Sequence, residues 1–508
     1  MLYKHFTKRN LIFYLCFSIL LFLSGAIFYL NFSYLSRLFL HLSLDNDIAP
    51  ITLLRVKILL LTLTSIGALL ILLLFVPLKW IKKIDALLAP KNQTKFIFSI
   101  LVLAFLFRLL WIITTPDVLV SDPGWYCNAA HLLASEGRYS DMADDDRTSA
   151  YLPIGYPFFL SLIFRLTDHS HFAGKFSHII LSLLIGYLSY LISLKLANRK
   201  FANLVLILMT FFPSQIFFTR LFLSEMLFTF FFILFLYLLL FLDETKNRFI
   251  LLFVAGIFLG MATLTRTLTL LFPLVVLIYF IRLKLSVTKA IGRVVLIIIG
   301  MLLLLSPWMI RNKKIMNYGV ISTNGGIDLW VGNNPLANGS FNWPSVTPFD
   351  TLSDEKSADK LGFKLGIKYI KNNPFRFILL GIKKEIFLFA GDLYALYWDL
   401  IKVAGTRELS PFIIFALISQ IYYSFILLLF LCGIYIYLFK NPYNAPVWNL
   451  LFYTLIYWCG VHFIFFGEDR FHFPIIPIMV IFAVSFIQHL YKSLICRTAN
   501  SESVSQNP

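Results

Sequence analysis

The residues with the greatest chemical capacity in this chain stand where apolar runs end. Asp122 follows directly on the apolar run Phe96–Ile113, in the segment SDPGWYCNAAHLLASEGRY (121–139), with Trp125 and Tyr126 close behind it. A carboxylate held at that depth can serve as a general base toward a substrate that is itself anchored in lipid. Glu225 in TRLFLSE supplies a second carboxylate, beside Arg220. Arg266 interrupts the long apolar run Phe249–Ile281, Arg311 and Asn312 follow SPWMI, and Arg470 and His472 stand in FGEDRFHFP before the last apolar run. Guanidinium groups grip phosphate in bidentate fashion, and a weakly screened setting beside lipid strengthens that grip. One interfacial arginine alone commonly reaches for lipid headgroups and needs no other function. A set of them gathered on one face with two carboxylates points instead to a base joined to a phosphate clamp, whose natural ligand is a phosphate-bearing lipid.

These residues must be positioned by membrane-crossing helices. Of 508 residues 59% are hydrophobic and only 14% charged, and the mean hydropathy is +0.81, which excludes an ordinary soluble globular domain and implies an all-α polytopic membrane protein. We expect about 12 spans: Leu11–Leu30, Leu53–Leu78, Phe96–Ile113, Phe176–Leu196, Phe201–Phe218, Leu221–Leu242, two short spans within Phe249–Ile281 divided at Arg266, Ile291–Ile310, Phe412–Phe439, Val447–Phe466 and Phe473–Leu490. The net charge of +18 does not imply a nucleic-acid partner, because the lysines and arginines are spread through short loops. Lys4, Lys8 and Arg9, then Lys79, Lys82, Lys83, Lys91 and Lys95, then Lys195, Arg199 and Lys200, then Arg282 and Lys284 fall on one side of alternating crossings. The positive-inside rule makes that side, and both termini, cytoplasmic. Asp122, Glu225, Arg266, Arg311 and Arg470 then all face outward.

The organisation that follows is two additional spans and a basic loop in 1–95, a transmembrane core in 96–310 with a first outer loop over 116–175, a large outer loop in 311–411, C-terminal spans in 412–494 and a disordered polar tail in 495–508. Tyr151–Leu166 and Phe375–Ala390 are too short or too proline-broken to span, and are expected as interfacial helices. The N-terminal run is longer than a secretory h-region and ends in no A-x-A site, so an uncleaved anchor is expected. Only Cys127 of the five cysteines is expected in an outer loop, which implies no disulfide framework. The stretch ISTNGGIDLWVGNNPLANGSF reads as a turn-rich loop marked by Gly325, Gly326, Gly332 and Gly339, and the amides of Asn324, Asn333, Asn334 and Asn338 suit sugar hydroxyls. No His/Cys/Asp cluster has metal-ligand spacing along the chain, so no cofactor and no essential metal are expected.

In order and spacing these motifs resemble membrane glycosyltransferases of the GT-C fold, in the branch of the protein O-mannosyltransferases and the lipid A aminoarabinose transferase. The similarity runs over roughly Phe96–Leu490. It is carried by Asp122 with Tyr126, Ala130, Leu133 and Gly137, by YLPIGYPFFLSLIFRL and by Ser224-Glu225. Leu264-Thr265-Arg266, Pro307-Trp308 with Arg311-Asn312, Gly332-Asn333-Asn334-Pro335 and Arg470 to Pro474 complete it. The resemblance implies transfer of a sugar from a polyprenyl-phosphate carrier to an acceptor hydroxyl of a lipid, glycan or protein, with inversion, on the outer face of a membrane. A bacterial inner membrane is the expected setting. It implies Asp122 as the base and Glu225 as an assisting carboxylate. Arg266, Arg311 and Arg470 would stabilise the leaving phosphate, and Tyr126, Asn312, Asn333, Asn334 and His472 would contact substrate. Where many relatives carry an Asp-Glu pair, this chain has Asp122-Pro123, so Asp122 acts there alone or borrows its second carboxylate from Glu225. Two other readings compete. A lipid-linked-sugar flippase would place its binding groups at mid-membrane in repeated halves, and no repeat is visible here. A glycan polymerase or ligase would use a polyprenyl-diphosphate donor.

Overall fold

The computed structural model describes residues 78–114, 119–140, 149–242, 247–352, 354–398, 409–440 and 446–504. The expected spans Leu11–Leu30 and Leu53–Leu78, with the N-terminal anchor, lie essentially outside these residues. Everything described is helix, turn or irregular chain, with no strand, in accord with an all-α polytopic membrane protein. Seven helices are long and apolar enough to cross a bilayer: α2 (Gln93–Thr114), α5 (His171–Leu196), α9 (Arg248–Thr265), α11 (Val287–Met316), α16 (Leu409–Lys440), α17 (Pro446–Ile464) and α18 (Ile476–Val504). Helix α18 runs on past Thr498 into the segment expected to be a disordered tail. Between these lie α1 (Leu78–Leu87), α3 (Asp122–Ser135), α4 (Gly155–Leu166), α6 (Arg199–Thr210), α7 (Pro213–Phe217), α8 (Glu225–Leu240), α10 (Phe272–Arg282), α12 (Gly325–Gly332), α13 (Glu355–Asn372), α14 (Pro374–Phe389) and α15 (Tyr394–Tyr397).

Two of the expected spans are shorter or broken, and a third run breaks where expected. Phe201–Phe218 divides into α6 and α7 because Pro213 cannot continue a helix interior but is well placed in a first turn. The 16 residues of α8 make about 24 Å of helix, less than the roughly 30 Å of a hydrocarbon core. The run Phe249–Ile281 breaks at Arg266, which follows α9 in extended conformation and leads through a 3-10 turn, Thr267–Thr269, into α10. With the 3-10 segment Asp469–Ile475 ahead of α18, these breaks fall at the end of the bundle expected to face outward. Irregular backbone is tolerated there because protein, rather than lipid, surrounds it: residues 217–229 are buried throughout.

Packing follows the small residues. A side chain on Gly256 of α9 would run into the Ile297 carbonyl of α11, and one on Gly300 would meet Phe253 in return. Backbones approach closely at such sites, which is how helices associate where lipid supplies no hydrophobic drive. The core is aromatic: Phe228, Phe232 and Phe235 of α8 and Trp448 and Trp458 of α17 are fully buried.

The outer segments are more helical than the sequence suggests. The interfacial helices expected at Tyr151–Leu166 and Phe375–Ala390 appear as α4 and α14. The stretch expected as a turn-rich loop contains α12, and its glycines serve close packing rather than turns. Gly326 and Gly362 bring the α12 and α13 backbones together, and Gly332 lies against the Phe465 carbonyl. Of the four glycines only Gly339, with φ 105°, needs the left-handed region of a turn.

Candidate active site

Asp122 opens α3 one residue after Ser121, whose φ of 54° and ψ of −137° are a costly conformation for a residue with a Cβ. Pro123 suits the first helical turn and its side chain is buried. A side chain at 123 therefore faces the protein interior. Asp122 Oδ2 accepts a hydrogen bond from Arg470 Nη1 at 2.6 Å, and its side chain keeps 26% exposure. Arg470 arrives from the 3-10 segment ahead of α18. Its Nη1 also donates to Tyr394 Oη at 3.0 Å, and its Nε lies 3.0 Å from Glu468.

A second pair stands beside the first. Glu225 opens α8 with a side chain 1% exposed, and Arg266 Nη1 lies 2.7 Å from its Oε1. Arg266 Nη1 donates to Ser224 Oγ at 3.2 Å, and Tyr126 Oη donates to the same oxygen at 3.3 Å. Burial is the main force that pushes the Tyr126 phenol up to about 12, so it is a neutral donor. The ring of Phe471 joins the pairs: the guanidinium carbons of Arg266 and Arg470 lie 5.2 and 4.9 Å from its centroid, within about 10 Å of one another. Neither guanidinium uses its Nη2 in a hydrogen bond among the described residues. Glu225 Oε2 is buried without a hydrogen-bond partner among them, an exception that calls for a ligand or a proton.

Asp122, Tyr126, Glu225, Arg266 and Arg470 are thus brought together from four separate stretches of chain. The other residues expected at the site make different contacts. Arg311 Nη1 donates to the Ser149 carbonyl at 2.9 Å and to Asn312 Oδ1 at 2.8 Å, with its guanidinium over Trp308. Asn312 donates to the Val320 carbonyl. Asn333 donates to the Leu329 and Ile464 carbonyls and accepts from Lys384, while Asn334 donates to the Trp330 carbonyl. Both also border a cleft with Trp330, Tyr369, Asn372 and Asn373. His472 is fully buried between the Leu388 carbonyl and Asp392, stacked on Tyr423. Hydrogen-bonding capacity that sequence assigns to a sugar is here largely taken up by the backbone.

Sequence reasoning missed three carboxylates. Asp328 of α12 is the clearest: burial pushes its carboxyl up to about 7, Arg470 and Arg266 oppose the rise, and Asp122 and Asp359 add to it. Asn324 Nδ2 donates to Asp328 Oδ2 at 3.0 Å, and Asp328 lies within electrostatic reach of both guanidinium groups. The signal was present, since Asp328 is the one charge in the otherwise apolar GGIDLWVG. Glu355 accepts from Ser149 Oγ (2.6 Å), the Ala150 amide (3.0 Å) and Thr323 Oγ1 (2.7 Å), tying the first outer loop to the large one. Asp359 accepts from the Gly326 amide at 2.6 Å and from Tyr318 Oη at 2.8 Å, which fixes the start of α12. A further group, Cys127, His131 and His171, presents its ligand atoms within 4.8 Å of one another, although no ligand spacing marks it along the chain.

Comparison with known proteins follows the same lines. Residues 152–310 match the family model described as dolichyl-phosphate-mannose-protein mannosyltransferase. Over that segment, α4 to most of α11, the chain is similar to this family of GT-C membrane glycosyltransferases. The segment contains Glu225 and Arg266; Asp122 and Arg470 lie outside it. No curated protein sequence matches the chain. Among solved structures, the oligosaccharyltransferase AglB of Archaeoglobus fulgidus in complex with an inhibitory peptide and a dolichol-phosphate aligns with a TM-score of 0.46 and 12% identity, over 82% of this chain and 55% of that one. ArnT of Cupriavidus metallidurans bound to undecaprenyl phosphate aligns with a TM-score of 0.40 and 13% identity, over 78% of each. The chain spans about half the length of the archaeal structures it matches.

Proposed function

We propose that the protein transfers a sugar from a polyprenyl-phosphate carrier to an acceptor hydroxyl, on the outer face of a membrane. The observation that carries this reading is the contact of Arg470 with a partly exposed Asp122, beside the second guanidinium–carboxylate pair. Asp122 takes the proton of the acceptor hydroxyl as its oxygen attacks the anomeric carbon from the face opposite the leaving group. The bond from that carbon to the phosphate oxygen breaks, its electrons pass to the lipid phosphate, and configuration inverts. Arg470 orients the Asp122 carboxylate before the step through its bond to Oδ2. The Nη2 groups of Arg266 and Arg470 offer donors to the developing phosphate charge. Glu225 Oε2, buried and otherwise unsatisfied, accepts from a substrate hydroxyl. Asp328 regulates the charge of the same centre. Arg311 acts at a distance, by holding the first outer loop. Nothing in this scheme requires a metal at Asp122. The positive-inside rule supports cytoplasmic termini and an outward-facing site, and a bacterial inner membrane is the setting we favour.

The deciding experiment supplies purified protein in proteoliposomes with either a mono- or a diphosphate polyprenyl sugar. Transfer to acceptor from the monophosphate donor alone is the expected result. Use of the diphosphate donor alone would make the protein a polymerase or ligase, and lipid-sugar crossing without product would make it a flippase.

A further inference from the structure

The four side chains Cys127, His131, His169 and His171 have no part in the proposed transfer. Cys127 and His131 stand one helical turn apart on α3, where side chains four residues apart share a face. His169 and His171 come from the corner between α4 and α5. Asp168 and His169 both have positive φ there, 49° and 58°, and such conformations persist only where surrounding contacts compel them. His171 Nε2 lies 3.2 Å from His131 Nε2 and 3.6 Å from Cys127 Sγ. A tetrahedral zinc ion has N–N edges of about 3.3 Å and N–S edges of about 3.6 Å, from bond lengths of about 2.0–2.1 and 2.3 Å. Two edges of that tetrahedron are therefore present, and the third lies within 4.8 Å.

The arrangement around these three atoms has the form of a metal's outer shell. His171 Nε2 meets both Cys127 Sγ and His131 Nε2, while His131 Nδ1 faces His169 Nδ1 at 2.5 Å. A ligating histidine characteristically engages a partner through its other ring nitrogen, which fixes tautomer and orientation. Phe164 stacks on His131 at 4.4 Å and Phe222 stands edge-on to His171 at 5.6 Å, so the group is walled by apolar rings. It contains no carboxylate, which disfavours magnesium and calcium, and one sulfur with two imidazoles suits a borderline-soft ion.

We propose that Cys127, His131 and His171 bind a zinc ion, with His169 as the positioning residue for His131 and one coordination position left to water. His131 lies nine residues beyond Asp122 on the same helix, about 13 Å along its axis. The ion would therefore not touch the reacting atoms. It would pin α3, and with it Asp122 and Tyr126, to the α4–α5 corner.

The test uses full-length protein in detergent, stripped with EDTA and dialysed against zinc or cobalt. Wild type is expected to retain about one zinc per chain and to show a thiolate-to-cobalt charge-transfer band. Cys127→Ser and His171→Asn lose both, and Cys127→Ser melts like wild type in EDTA. His169→Asn keeps the stoichiometry and weakens affinity about 10–100-fold. Retention of no zinc by wild type, equal retention by Cys127→Ser, or a cobalt spectrum without the thiolate band each overturns the proposal. The cobalt band is read on wild type alone, so a variant that fails to fold leaves the question decidable, and none of these readouts depends on sugar transfer.

Discussion

Replacing Asp122 with asparagine separates chemistry from structure at this site. The two side chains have the same shape, so α3 keeps its first turn and the amide can still meet Arg470. What is lost is one charge of an ion pair whose acid is 26% exposed and whose arginine retains Glu468 at 3.0 Å. A partly solvated pair of this kind contributes about 1 kcal/mol or less, so the melting temperature should barely move. The chemical cost is much larger. An amide cannot accept the hydroxyl proton at neutral pH, and loss of a positioned general base costs about 10²–10⁴-fold in rate, or roughly 3–5 kcal/mol of barrier. Radiolabelled sugar transfer in proteoliposomes gives the rate, and intrinsic-fluorescence melting of the same preparation gives the stability. A variant that transfers within a few-fold of wild type would refute the base assignment. A loss of activity matched by collapse of the melting transition would show that Asp122 acts chiefly as a structural partner of Arg470.

Three further outcomes are expected. Asp328, pushed up to about 7 chiefly by burial, is protonated below neutrality and ionised above it. As pH rises through that value its carboxylate competes with lipid phosphate for Arg470 and Arg266, so the KM for the donor should rise on the alkaline side, and Asp328→Asn should flatten that limb. The same raised carboxyl favours the folded state below its ordinary pKa and loses that contribution as pH rises through about 7, so the fall in stability from acid pH to neutrality should also shrink in the variant. Glu225→Gln leaves Arg266 facing a neutral partner in a buried position and should cost about 3 kcal/mol, measured by denaturant unfolding in micelles; an unchanged midpoint would show that the pair is solvated. Gly332→Ala drives a Cβ into the Phe465 carbonyl and should destabilise by at least 1–3 kcal/mol, roughly the cost of overpacking, whereas an unaltered melting temperature would mean that α12 does not rest on the end of α17.

The seven long helices were legible because a bilayer imposes long apolar runs, and the break at Arg266 because the run Phe249–Ile281 is too long for one crossing. Asp122, Glu225, Arg266 and Arg470 were legible for the same reason: charge is costly at the edge of lipid. Glu355 and Asp359 carried no such signal, since charge in an outer loop is cheap and their value lies in amides and hydroxyls more than 30 residues away. Arg108, buried within α2 against Ser182, was overlooked although a charge inside a span is a strong mark. The contacts of Asn333, Asn334 and His472 were not legible, because sequence shows which groups a side chain carries but not which backbone carbonyls will claim them. The Cys127 group was invisible for a related reason: its two halves lie some 40 residues apart, joined only where α4 turns back into α5.

Asp122 and Arg470 are separated by 348 positions, nearly the whole of the described chain. During synthesis Asp122 leaves the ribosome long before the arginine that will hold it exists. Under the proposed mechanism, until the last crossing is threaded the half-made protein has its base without its clamp and does not act on the lipid around it. On that mechanism activity reports completion: a chain that stops anywhere before Arg470 is expected to be silent, and the final helix is the seal on correct assembly.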